Sequence, residues 1–446
     1  MEHSRDSNGP VTGSRGRRVV IVGSGFAGYF AARKLRGAAV DLTVLSVSDS
    51  LLYAPFLPEV AIGTIDPRSA VVPLTETLPG VRVVRGRAVG VDRPGRAVHY
   101  LDAGGVDQVV PYDRLLLAPG SVTRLLDIPG LAEHGIGLKT VAEALYLRDH
   151  VLGRIESANE MADPTQRRAA LTFVTVGAGY AGVELTAQMA RMIDGLLPLY
   201  PRVSRDEVHW LLVDVSAAVL PELGPELGKS AMQLLQHRRV DVRLGVSIRE
   251  LTADHVTLTD GTELDSSTVV WCAGVTANPL IATLDLPTTK GRLVVDTELR
   301  VPGHPEIYAI GDAAAVPDLT KTAPGKDSHP LCPPTAQHAM RQAAAAARNI
   351  AADLGDGIAE PYRHRDLGLV VDLGGPDAAA TPLGFHLRGR LAKAVTRGYH
   401  LAALPTVRRR LRVGTDWALA GRRPDDVSFG LLPEAEALIP NAEGTA

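Results

Sequence analysis

The chain has 446 residues, a formal net charge of -3, 45% apolar and 22% charged residues, and two cysteines. Such a length implies two or three domains, and the composition is that of a globular protein without the positive field that a nucleic-acid partner attracts. Cys272 and Cys332 lie too far apart in sequence for a C-x-x-C, zinc or disulfide pattern, so no metal site is expected and a reducing cytoplasm is the natural setting.

Residues 1–16 are polar, lack an apolar core and read as a disordered tail rather than a signal peptide; "NAEGTA" at the other end is similar. No stretch reaches the roughly 18 apolar residues of a membrane-spanning helix. The segment "VVIVGSGFAGYFAARKL" (19–35) predicts a strand, a glycine turn and a helix, and "VDLTVLSV" (40–47) the next strand of a βαβ unit. "LLYAPFLPEVAIGTIDP" (51–67), with three prolines, reads as a loop. Short alternating strands follow and end on "RLLLA" (114–118), before Pro119 and Gly120. "TVAEALYLRDHVLGRIESANEMADP" (140–164) predicts an amphipathic helix closed by Pro164.

The second half repeats this order. "FVTVGAGYAGVELTAQM" (173–189) is again strand, turn and helix, and "VHWLLVDV" (208–215) is the next strand. A meander with an Asp260-Gly261 hairpin turn then ends on "VVWCAG" (269–274). The chain thus carries a degenerate duplication of about 150 residues. Beyond it, "EIYAI" (306–310) runs into Gly311-Asp312, a loop spans Val316 to Pro334, and "TAQHAMRQAAAAARNIAADLG" (335–355) predicts a helix capped by Thr335 and stopped by Gly355.

Both turns read G-x-G-x-x-G. The first glycine makes the tight turn, the second lets a pyrophosphate approach the backbone, and the third lets helix and strand pack closely. Gly23, Gly25 and Gly28, with Phe26 and Ala27 between them, fill these places in the first cradle. Gly177, Gly179 and Gly182, with Tyr180, fill them in the second. One copy is a weak signal; two copies in strand–turn–helix context indicate two dinucleotide sites. Asp214 closes the strand after the second cradle, where a carboxylate binds ribose hydroxyls and repels a 2′-phosphate, favouring NADH over NADPH. The equivalent place in the first unit is Ser46, and Asp49 is read as a turn residue. Of two such cofactors, one delivers electrons and the other, held tightly, receives them; flavin suits the second role.

With both cradles, the strand ends at Gly120 and Gly274 and "YAIGDAA" (308–314) in view, residues 17–430 resemble the two-dinucleotide-binding-domain flavoproteins, and most closely the type II NADH dehydrogenases. The resemblance implies an α/β fold: two Rossmann-like dinucleotide-binding domains, the FAD domain interrupted by the NAD domain, and a C-terminal α/β or helical membrane-docking region. The implied boundaries are 1–16 for the tail, 17–125 for the first FAD-binding segment, 126–164 for a linker helix region, 165–290 for the NAD(H) domain, 291–355 for the second FAD-binding segment and 356–446 for the C-terminal domain. It also implies FAD in the first cradle, contacted by Gly311 and Asp312, and NADH in the second. Glu184 is implied in proton handling, and Ala336 and Gln337 match an A-Q-x-A-x-Q helix beside flavin and quinone. In that motif Ala339 matches too, Arg341 replaces the last Gln, and Gln342 follows. The family's A-T-G is "APG" here, and its late lysine is Leu367. The activity implied is NADH to FAD to quinone, with menaquinone the expected acceptor of an actinobacterial-type chain and a homodimer the expected oligomer.

From Leu387 to Ala402 a helical wheel puts Leu387, Leu391, Val395, Gly398 and Ala402 on one face and Arg390, Lys393, Arg397 and His400 on the other; Pro405 and "RRRLR" (408–412) follow. A basic amphipathic helix of this kind lies on an anionic bilayer, here the inner face of the cell membrane, or packs on a domain with its charged face in solvent. Three other functions stay open: a sulfide:quinone reductase, a ferredoxin-type reductase, and a catalytically quiet flavin-binding sensor.

Overall fold

The computed structural model describes residues 17–322 and 329–420. The 1–16 tail, the "NAEGTA" end and some of the Val316–Pro334 loop lie outside the described residues. The chain forms two units. Unit 1 comprises Met1–Asp49, Leu74–Gly120 and Leu280–His364; unit 2 comprises Ser50–Pro73, Ser121–Pro279 and Arg365–Ala446.

Unit 1 is built on an eight-stranded mixed sheet. At its centre Arg18–Val22 pairs in parallel with Asp41–Ser46 on one side and Arg114–Leu117 on the other. Val19 to Val22 are all buried, as expected of a strand covered on both faces. Arg82–Asp92 begins parallel to Asp41–Ser46, passes a bulge near Gly90 and continues antiparallel to Ala97–Asp102. The helix Phe26–Leu35 packs against the helix Ala336–Asp353, which Thr335 caps by accepting the His338 amide. Small residues allow this approach: a Cβ on Gly311 would stand 3.0 Å from the Ala27 Cβ and 3.8 Å from that of Ala339.

Unit 2 has a five-stranded, all-parallel sheet in the order Gly135–Ile136, Thr268–Trp271, Thr172–Val176, His209–Asp214, Val240–Leu244. Trp271, Val174, Val213 and Leu211 anchor its core. The helix Tyr180–Leu196 leaves the second glycine turn. Asp260-Gly261 does turn a hairpin, between His255–Leu258 and Glu263–Asp265. A small antiparallel sheet, Val370–Asp372, Ala378–Ala380 and Leu387–Arg388, carries the helices Gly389–Ala403 and Val407–Leu419.

Three local expectations are corrected. The stretch 51–67 is not a plain loop: Ser50–Leu52 pairs with Val71–Pro73 and Leu57–Ala61 is a short helix. Pro58 sits in that helix's first turn, where a missing N–H costs nothing. Pro164 does not close the preceding helix, which ends at Glu160; it opens the next one, Pro164–Leu171, behind the Asp163 cap. In the helix Gly389–Ala403 the expected division of faces holds only in part: Arg390 is exposed and Val395 packs on the core, but two of the polar residues turn inward. Lys393 and His400 are buried, whereas Leu391 is 71% exposed and Gly398 and Ala402 face solvent. The wheel gave the right spacing, but the buried polar side chains have partners in the interior that no wheel displays.

Candidate functional site

The two glycine turns are built alike. A Cβ on Gly28 would fall 1.9 Å from the Gly23 carbonyl oxygen, and one on Gly182 falls 1.9 Å from that of Gly177. Gly23 and Gly177 adopt φ of +104° and +115°, each against the end of the neighbouring strand, at Ala118 and Cys272. Gly23 N donates to the Leu45 carbonyl and Gly177 N to the Val213 carbonyl, both at 2.8 Å. Around Gly25 and Gly179, by contrast, no protein atom lies within 4 Å of an added Cβ. Packing therefore fixes the first and third glycines, and the middle one faces open space at a helix N-terminus. That is the arrangement a pyrophosphate needs, so the residues present fit a dinucleotide in each unit.

The second strand braces each turn. Asp214 accepts the Ala178 amide at 2.5 Å and the Ser216 amide at 2.6 Å. Its carboxylate has acceptor positions left for ribose hydroxyls. Ser46, buried in the first unit, is bonded through its hydroxyl to that of Ser24 at 2.8 Å. The same topological position thus braces its turn with a neutral pair in one unit and with a charge in the other.

The sequence-derived residues fall into two sets. Unit 1 gathers Gly23, Gly25, Phe26, Ala27, Gly28, Ser46 and Gly120 at one cradle, with Gly311 and Asp312 at the start of Phe26–Leu35 and Ala336 and Gln337 in the first turn of the Thr335-capped helix. Gln342 holds this set together, its Oε1 accepting the Gly311 amide at 2.7 Å. The displaced glutamine thus has a bracing role, while Arg341 turns back to the Gln337 carbonyl. His338, beside Gln337, stacks on His364 at 3.7 Å between ring centroids, and burial pushes its imidazole down to about 4. Unit 2 gathers Gly177, Gly179, Tyr180, Gly182, Asp214 and Gly274, with Glu184 on the same helix.

Glu184 Oε1 accepts the Asp372 amide at 2.7 Å, and Gln188, one turn on, donates to the Asp372 carbonyl at 3.1 Å. Burial, aided by the charges of Asp372 and Glu59, drives the Glu184 carboxyl well above its ordinary range. Asp372 pairs with Lys393, and Glu59 accepts from the Trp417 indole at 2.9 Å. The sequence reading missed Glu59, Asp372, Lys393 and Trp417. The available signal was a lysine and a glutamate within otherwise small or apolar stretches, "LAKAV" and "LPEVA". Burial also pushes the thiols of Cys272 and Cys332 up, to about 12 and about 11.

Two glycine cradles of the same build, each beside a parallel strand pair, define a scaffold for two nucleotides. Residues 17–343 match the family described as pyridine nucleotide-disulphide oxidoreductase. The type II NADH:quinone oxidoreductase Ndh of Mycobacterium tuberculosis is 31% identical over 421 residues, covering 91% of this chain and 88% of that protein. NdhA of the same organism, also a type II NADH:quinone oxidoreductase, is 34% identical over 72% of this chain and 71% of its own length. The structure of NDH2 from Plasmodium falciparum in complex with NADH shares the fold, with a TM-score of 0.83 at 18% identity over 93% of this chain and all of that one. The chain belongs to the pyridine nucleotide-disulphide oxidoreductase family, in its type II NADH:quinone oxidoreductase branch.

Proposed function

We propose that the chain is a non-proton-pumping NADH:quinone oxidoreductase with FAD in unit 1 and NADH in unit 2. The duplicated cradle carries this reading, each copy leaving only its middle glycine open. A pyrophosphate cradle in unit 1 favours FAD over FMN, which has no pyrophosphate. When bound, the flavin accepts a hydride from NADH and passes two electrons to a quinone. The first-turn amides of Phe26–Leu35 and Tyr180–Leu196 hold the two pyrophosphates, and the helix dipoles favour that charge. Asp214 holds the NADH ribose and disfavours a 2′-phosphate. Gln337 offers its amide to a quinone carbonyl, Asp312 contacts the FAD ribityl chain, and Glu184 handles a proton.

The helices Gly389–Ala403 and Val407–Leu419 expose Leu391, Val407, Leu411 and Leu419, each at least 59% open, with Arg390 and Arg408. Leu391, Ala394, Gly398 and Ala402 share one exposed stripe, and Val407, Leu411, Thr415 and Ala418 another. Apolar stripes in water fit docking on a bilayer that stores menaquinone, at the inner face of the cell membrane. No helix among the described residues is long and apolar enough to cross it. A homodimer belongs to the same reading. The sulfide alternative loses ground, because both thiols are far from forming thiolates at neutral pH.

The test is steady-state turnover of the purified protein with a soluble menaquinone analogue, NADH or NADPH, and identification of the released flavin. Rapid NADH-dependent turnover with FAD is expected. Ferredoxin reduction without quinone turnover would overturn the quinone assignment.

A further inference from the structure

The interior of unit 2 holds more ionisable groups than nucleotide binding requires. Glu59 comes from the helix Leu57–Ala61, Asp372 from the strand Val370–Asp372, and Lys393 from the helix Gly389–Ala403, exposed by only 4%, 6% and 7%. Lys393 and Asp372 are directly bonded, and Glu59 interacts with both electrostatically. The Lys393 ammonium donates to both Asp372 carboxylate oxygens, at 2.5 Å to Oδ2, and the Asp372 amide donates to Glu184. Glu59 interacts with Asp372, Lys393 and Arg397 electrostatically and is fixed by the Trp417 indole from Val407–Leu419.

Several buried polar atoms on the same elements have no protein partner: Tyr180 OH and Thr186 Oγ1 on the cradle helix, Thr396 Oγ1 and Arg397 Nε on Gly389–Ala403. Internal water ordinarily satisfies such atoms, and water between acids moves protons. Burial raises Glu59 to about 8, so it holds a proton at neutral pH beside the Asp372–Lys393 ion pair, and burial drives the Glu184 carboxyl well above its ordinary range. Other titratable groups near this cluster include Arg397, His400, which burial holds near 4 and therefore neutral, Tyr53, which bonds His400 at 3.0 Å, Tyr399 and Tyr180; the same elements also carry Arg191, Asp194, Arg390, Arg408, Arg409, Arg410, Arg412 and Asp416.

We propose that Glu59, Lys393 and Asp372 form an internal relay that supplies Glu184 with the proton consumed in quinone reduction, drawn from the C-terminal helix pair. The inference rests on the proposed function and on Glu184 as its proton-handling group. The balance is NADH + H⁺ + quinone → NAD⁺ + quinol. The hydride carries both electrons and one hydrogen from the nicotinamide, and the second hydrogen of the quinol is a proton from water. Glu59 and Lys393 act through Glu184, as positioning and relay groups that touch no substrate.

The experiment compares two acceptors in Glu59→Gln, Lys393→Met and Lys393→Arg holoenzymes. Quinone needs protons, whereas ferricyanide takes only electrons. The ratio of quinone to ferricyanide turnover should fall about tenfold or more in Glu59→Gln and Lys393→Met, with partial recovery in Lys393→Arg. The parent ratio should decline above about pH 8, as Glu59 loses its proton, and Glu59→Gln should lack that limb. Infrared spectra give a readout independent of turnover: the parent should show a protonated-carboxyl C=O band at pH 6 that bleaches by pH 9 and is reduced in Glu59→Gln. An unchanged acceptor ratio in Glu59→Gln, which keeps the Trp417 hydrogen bond and fold, would overturn the relay. A parent that reduces ferricyanide but no quinone would overturn the functional reading itself, and the relay with it.

Discussion

Lys393 and Asp372 form an ion pair in the interior of unit 2, with each side chain only 9% exposed. Desolvation makes such a pair costly to form and costlier to break, since removing one partner strands a buried charge. Lys393→Met should therefore destabilise the protein by about 3–5 kcal/mol, and adding Asp372→Asn should recover some of the loss. Chemical denaturation of the two variants and the parent checks this. Additive losses would show that the pair is not coupled.

The middle glycines separate binding from folding. Gly25 and Gly179 have ordinary negative φ and open space where a Cβ would go, so alanine fits the protein at both. It does not fit beneath a pyrophosphate. Gly25→Ala should fold with an unchanged apo melting temperature and lose its flavin. Gly179→Ala should keep flavin and raise the KM for NADH about tenfold or more, a loss of about 1.4 kcal/mol. Retention of flavin by Gly25→Ala would contradict the cradle assignment.

Much of this was legible in the chain. The glycine spacing, Asp214 and the Thr335 cap are local signals, because a turn, a strand end and a cap each need particular residues within a few positions. The burial of Lys393 was only faintly legible, in its apolar neighbours. On a wheel it joins Arg390 and Arg397 on a charged face, and only the carboxylate of Asp372, 21 positions earlier, explains why it points inward. Glu59 was hidden differently: two prolines beside it mark a loop by composition, yet Pro58 opens a helix. Long-range charge pairing leaves no periodic trace in sequence.

Stability should respond to pH through Glu59. Its folded carboxyl is raised from 4.5 to about 8, so the native state binds more protons than the unfolded chain between those values. The stabilisation is complete below pH 4.5 and is lost as pH rises through 8. Glu59→Gln removes this dependence, so its melting temperature relative to the parent should be higher at pH 9 than at pH 5. A difference independent of pH would place the Glu59 titration elsewhere.

Membrane affinity should reside in the exposed stripes. Truncation from Gly389 would also remove Lys393 and Trp417 from the interior, so surface changes are the cleaner probe. Leu391→Ser with Leu411→Ser alters positions that are 71% and 68% exposed, and the fold should tolerate it. Each leucine withdrawn from a bilayer forfeits up to about 1.5–3 kcal/mol, so partitioning onto anionic liposomes should fall at least about tenfold. Unchanged flotation with liposomes would remove these helices from the docking surface.

The most direct measurement is an anaerobic stopped-flow experiment on the purified holoenzyme. NADH is mixed in first while flavin absorbance is followed, and a soluble menaquinone analogue is then added. Rapid bleaching with NADH and rapid return of the oxidised spectrum with quinone are expected. A bound flavin that NADH fails to bleach would contradict NADH-to-quinone transfer, as would a bleached flavin that quinone fails to reoxidise.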